Sequence, residues 1–133
     1  MDASDKGELA EAMTIAECKR LGLTVLEPFG HEQPYDLVVE IGGEFKRLQC
    51  KHARYKNGKV KGHLFTAYND EVRSYEDYEI DYFALYEQRT DEVYIVAVED
   101  APKDNISLRV EEPEQTSPNI RWADDYVISE VLQ

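Results

Sequence analysis

The chain has 133 residues, 42% of them apolar and 11% aromatic, with 28 Asp and Glu against 15 Lys and Arg, for a formal net charge of −13. That length suits a single domain over residues 1–133, and the apolar content excludes a disordered chain. No apolar run approaches the roughly 20 residues that cross a bilayer, and the N-terminal MDASDKGELAEA lacks the basic and apolar regions of a signal peptide, so the expected compartment is the cytoplasm.

The first element predicted is a helix over Lys6–Leu21. Ser4 or Asp5 is its N-cap, Asp5-x-x-Glu8 has the form of a capping box, and Leu9, Ala12, Met13 and Ala16 make an apolar stripe. Cys18 and Cys50 lack metal-ligand spacing and read as reduced packing residues. Leu23–Pro28 is a short strand and FGHEQP a loop. YDLVVEI and EFKRLQCKHA then flank Gly42-Gly43, a dipeptide suited to a two-residue hairpin turn.

Gly58 and Gly62 mark a flexible basic loop, and EVRSYEDY is assigned a short helix. IDYFALYE and DEVYIVAVE form a second strand pair, and NISLRVEE is one more strand. PEQTSP is a turn-rich linker, and the form of IRWADDYVISEVL is left open. This order makes an α/β domain with a mixed central sheet.

Charge is segregated along the chain. Residues 46–63 contain no Asp or Glu and carry +7, through Lys46, Arg47, Lys51, Arg54, Lys56, Lys59 and Lys61; the other 115 residues carry −20. The acidity itself reads as adaptation to high salt, with a generally solvated surface or mimicry of DNA as alternatives. The acid-free run points to phosphate binding, with Arg47, Arg54, Lys56, Lys59 and Lys61 as the expected contacts to a nucleic-acid backbone. His52 and His63 fall within it, and His31 is a candidate loop contact.

Turn geometry sharpens the hairpin. With Gly42 and Gly43 as turn residues, Ile41 faces Glu44, and Asp36 is predicted opposite Gln49. Lys51 shares that face, while Leu37, Val39, Leu48 and Cys50 point into apolar packing. An Asp carboxylate and a Gln carbonyl are hard oxygen donors suited to Mg²⁺, and a main-chain carbonyl near Cys50 adds a third. A neighbouring Lys positions water and offsets charge on phosphorus. The trio makes a candidate site for phosphodiester hydrolysis.

PYD followed by QCK resembles the PD-(D/E)xK nuclease superfamily, with Gln49 where the usual acid stands and Tyr35 between Pro34 and Asp36. KGELAEA looks like the helix that supplies that superfamily's first acid. The Gln variant, with IDYFALYEQRTDEVYIVAVED and ISLRVEEP…IRWADDYV, is similar to the homing endonucleases encoded in group I introns. The resemblance implies a restriction-endonuclease-like core in which a mixed sheet is flanked by helices. It implies a Mg²⁺-dependent DNA endonuclease, with Mn²⁺ as a substitute ion. Asp36, Gln49 and Glu8 would serve the metal and Lys51 the chemistry. It also implies a homo-oligomer, dimer or tetramer, acting on double-stranded DNA. The alternatives are a resolvase-like nuclease for branched DNA and an inactive nucleic-acid-binding module.

Overall fold

The structure, a computed structural model, describes residues 1–68, 71–75 and 79–133, with residues 66–68 and 71–74 described by their backbone alone. The chain opens with a helix, α1 (Ala3–Arg20). Asp2, not Ser4 or Asp5, is its N-cap, and the Asp2 carboxylate accepts the Asp5 amide at 2.8 Å. The cap therefore sits earlier than predicted, with Asp5 rather than Glu8 at the third helical position. The buried face is also rotated from the predicted stripe. Ala10, Thr14 and Cys18 are buried, with Leu9, Met13 and Ile15 packed beside them, whereas Ala12 and Ala16 are exposed. Thr14 tolerates burial because its hydroxyl donates to Ala10 O at 2.7 Å.

The strands that follow are β1 (Thr24–Leu26), β2 (Leu37–Ile41), β3 (Glu44–His52), β4 (Arg54–Lys56), β5 (Lys59–His63), β6 (Phe65–Tyr68), β7 (Glu71–Ser74), β8 (Tyr82–Glu87), β9 (Glu92–Ala97) and β10 (Asn105–Arg109). A short helix, α2 (Ile128–Val131), lies near the C-terminus and buries Ile128. The central sheet runs β1-β2-β3-β8-β9, with β3 and β8 parallel and the other pairs antiparallel. It is the mixed sheet expected from the sequence.

Side chains on its strands alternate between two cores. On the α1 face lie Leu37, Val39, Leu48, Cys50, Ala84, Tyr86, Val93 and Ile95. Phe83, Leu85, Tyr94 and Val96 point to the other face and meet Val60, Leu64, Ile106 and Leu108. Strands β8 and β9 are apolar at nearly every position because both their faces are covered.

The cover on that second face corrects the sequence reading. The residues assigned to a flexible basic loop form a second sheet, β10-β5-β4. Its β4–β5 hairpin turns at Asn57-Gly58, where φ is +54° and +74°. Gly62 is no hinge either: a Cβ there would stand 3.1 Å from the Leu85 side chain, so the bare backbone lets β5 press against β8. The helix assigned to EVRSYEDY is also displaced, since Glu71–Ser74 pairs as a strand with Phe65–Tyr68; residues 76–78 of that segment lie outside the described residues. Among the described residues, no helix is long and apolar enough to cross a membrane.

The Gly42-Gly43 turn sets the register for everything on β2 and β3. Its φ values are +59° and +83°, and Ile41 faces Glu44 as predicted. A Cβ at Gly43 meets nothing within 4 Å, so a substitution there is strained by backbone conformation alone. Gly43→Ala is expected to lower stability by about 1–2 kcal/mol. Urea unfolding should show a lower midpoint with an unchanged slope.

Candidate active site

The predicted register holds from Ile41–Glu44 to Leu37–Leu48 and then breaks. Asp36 donates its amide to Leu48 O at 2.8 Å, and its carboxylate Oδ2 accepts the Cys50 amide at 2.9 Å. A continued ladder would return that amide to the backbone opposite, at Tyr35. The Asp side chain takes it instead, as short polar side chains do when they compete with secondary structure. Asp36 therefore does not sit opposite Gln49 in the ladder. One carboxylate oxygen is tied to the end of β3, and the side chain is half-buried where β2 and β3 part.

Asp36 lines a cleft of about 200 Å³ together with Glu11, Glu27, His31, Gln33 and Tyr35. Burial pushes the Asp36 carboxyl above its ordinary range, more than the Cys50 amide and the Lys51 charge pull it down. Glu11 is raised as well, by burial first and then by the charges of Asp36, Glu27 and Glu8. The helix thus presents an acid to Asp36, and that acid is Glu11. Glu8 is exposed and lies outside the cleft wall, its charge reaching Glu11 along the helix.

Gln49 and Lys51 line a second cleft, of about 410 Å³, with Lys6, Arg54, Lys61 and His63. Its wall contains no carboxylate. Lys51 is half-buried, donates from Nζ to Phe65 O at 2.8 Å and stands 5.3 Å from the centre of the Tyr75 ring. Burial lowers its pKa, and the charge of Asp36 partly restores it. Cys50 belongs to the wall of this second cleft while its amide holds Asp36, so an acidic hollow and a cationic one share one hydrogen bond. Among the described residues, no three His, Cys, Asp or Glu side chains converge as a metal cluster. The hard donors are the three carboxylates of the first cleft, Asp36, Glu11 and Glu27, with the Gln49 amide oxygen and main-chain carbonyls, which suits a divalent cation that keeps several waters.

The expected phosphate contacts fall into two groups. Cross-strand pairs Arg54–Lys61 and Lys56–Lys59 put four cations on one face of the second sheet, because the intervening Val60 and Gly62 are turned inward. Arg47 does not belong to that face. Its backbone amide and Nε bond Asp81 Oδ2 at 2.7 and 3.1 Å, and Nη2 reaches Asp81 Oδ1 at 3.3 Å. His52 bonds the Gln88 side chain at 3.0 Å, and His63 bonds Asn105.

The sequence reading passed over Glu11, yet Asp36 and Glu11 repel in a partly desolvated cleft, and that has a stability consequence. For a carboxyl whose folded-state pKa is raised, the stabilising contribution is complete below the unfolded pKa and disappears as pH rises through the folded one. Glu11→Gln is therefore expected to raise stability near pH 7, by up to about 0.5 kcal/mol for a partly solvated charge. The gain should vanish below the carboxylate range. Thermal melts of both proteins between pH 3 and 8 check the sign.

A family model for the PD-(D/E)XK endonucleases matches residues 1–129. Among solved structures, that of a bacterial homing endonuclease superimposes with a TM-score of 0.80 at 20% identity, covering 97% of this chain and 90% of that one. No curated protein matches the chain. With that model spanning nearly its whole length, the chain belongs to the PD-(D/E)XK endonuclease family.

Proposed function

We propose that the protein is a divalent-metal-dependent DNA endonuclease, with Mg²⁺ as its working ion, of the homing-endonuclease kind. The observation that carries this reading is the meeting of the two clefts. Asp36, raised by burial, and Glu11, raised by burial and by the neighbouring acid charges, face one hollow, and lysines face its neighbour. Carboxylates held together above their ordinary pKa are stabilised by any cation that enters, and an acid-free wall receives the phosphate such a cation activates.

Asp36 would hold the ion directly, through the oxygen left free by the Cys50 amide. Glu11 would contribute from the helix, Gln49 from the adjoining wall, and Glu8 through water from the solvent side. A bound Mg²⁺ supplies a more acidic water and neutralises phosphate oxygens. Lys51, with its ammonium fixed by Phe65 O, orients the attacking water and stabilises charge that grows on the phosphate. Arg54, Lys56, Lys59 and Lys61 hold the backbone of the duplex on the face of the second sheet, while Arg47 braces β3 through Asp81.

Purified protein should cleave duplex DNA only with Mg²⁺ or Mn²⁺. Asp36→Ala and Lys51→Ala should each cost at least about 100-fold in rate, the scale for loss of a catalytic electrostatic group. Lys51→Ala should not lower the melting temperature much, since a half-buried, partly desolvated cation is removed. The Mg²⁺-dependent rise in melting temperature should disappear in Asp36→Ala. Competition between linear duplex and a four-way junction separates this reading from that of a branched-DNA nuclease. Wild-type protein that leaves every duplex and junction intact at all salt concentrations overturns it.

A further inference from the structure

A third cleft, of about 420 Å³, lies away from the site, between β10 and the loop that follows it. After Arg109 the chain loops outward and returns to pair with the end of the strand it left: Arg109 N donates to Arg121 O at 2.8 Å, and Arg109 bridges Trp122 in parallel. The loop is closed by Ile120 N to Ser117 O and by Asn119 N to Ser117 Oγ, both at 3.4 Å. The hollow so formed has Lys59, Arg109 and Arg121 as its charges and Ser107, Ser117 and Asn119 among its neutral donors. No carboxylate lines it, in a chain with 28 acids. One acid of the loop, Glu111, is engaged by the Tyr55 hydroxyl, which donates to it at 3.0 Å.

Strand β5 connects this hollow to the cationic wall beside Lys51. Lys61 lines that wall and Lys59 lines the hollow, and as residues i and i+2 their side chains share a face. The step between them is about 6.8 Å, roughly two phosphates of axial rise along one DNA strand. Register adds the flanks: Arg109 pairs with Lys59 and Ser107 with Lys61, so β10 widens the same face.

We propose that the hollow between β10 and the 110–121 loop is a second phosphodiester-binding site, which grips the DNA backbone a few nucleotides from the scissile bond and fixes the register of the duplex on the enzyme. It rests on the reading of this protein as a DNA endonuclease. Arg121 and Lys59 supply charge, and Ser117 and Asn119 donate hydrogen bonds to phosphate oxygens. None of them touches the reacting phosphate, so they are positioning residues.

The test is equilibrium binding of a fluorescein-labelled duplex of about 30 base pairs, in Ca²⁺ to hold off cleavage, with KCl varied. Arg121→Gln is expected to weaken binding roughly three- to tenfold at low salt and to reduce the slope of log K against log salt by about one per bound subunit, equally for unrelated sequences. Asn119→Asp, a surface change that introduces charge without removing packing, should weaken binding in the same way. Arg20→Gln, an exposed cation on α1, serves as the control and should leave the slope alone. If Lys61→Gln weakens binding while Arg121→Gln and Asn119→Asp both match wild type, the second site is refuted and the endonuclease reading stands. If wild type itself does not bind duplex, the endonuclease reading falls, and the DNA ligand assigned to this hollow falls with it.

Discussion

A single hydrogen bond, from the Cys50 amide to the Asp36 carboxylate, organises the end of the central sheet. It takes an amide that the β2–β3 ladder would otherwise return to the backbone, and so stops the ladder at Leu37–Leu48. Where the strands part, a hollow opens that helix α1 closes with Glu11 on one side. The same bond holds one Asp36 oxygen still and leaves the other available. A carboxylate placed there without it would be desolvated and unanchored. With it, the cost of burial is only partly offset, and the carboxyl stays above its ordinary range.

The second sheet solves a separate problem. Strands β8 and β9 are apolar on both faces and need a cover that α1 cannot provide. Sheet β10-β5-β4 supplies it with Val60, Ile106 and Leu108, and its outward face is left for cations. One element therefore finishes the core and carries the positive charge. Period-two alternation makes that economy available to a strand and not to a loop.

The distribution of charge follows from the same division. Acids dominate the chain, yet the wall beside Lys51 and the hollow beside Arg121 are free of them. A polyanion approaching such a protein is repelled broadly and attracted locally, which rewards docking in one orientation.

Much of this was legible in the residues. The hairpin register could be counted from Gly42-Gly43, and Asp36 and Lys51 stood out because polar groups at the end of a patterned strand have no packing role. The Asn57-Gly58 hairpin was also written in the chain, in YKNGKVKG, but lysines at every second position conceal a strand whose buried face has only Val60 and Gly62. The helix misled for a related reason. Alanine is nearly indifferent to burial, so Ala12 and Ala16 were poor witnesses to which face turned inward, and the acid facing Asp36 was sought at Glu8 instead of Glu11. By itself the sequence determined two strand pairs, β2–β3 and β8–β9, and the β2–β3 register from Ile41–Glu44 as far as Leu37–Leu48, because alternation and turn chemistry are local. Which acid meets Asp36, where Arg47 spends its charge and which cations share a face were decided only by the tertiary structure, because those depend on the rotation of one element against another, a quantity no local pattern encodes.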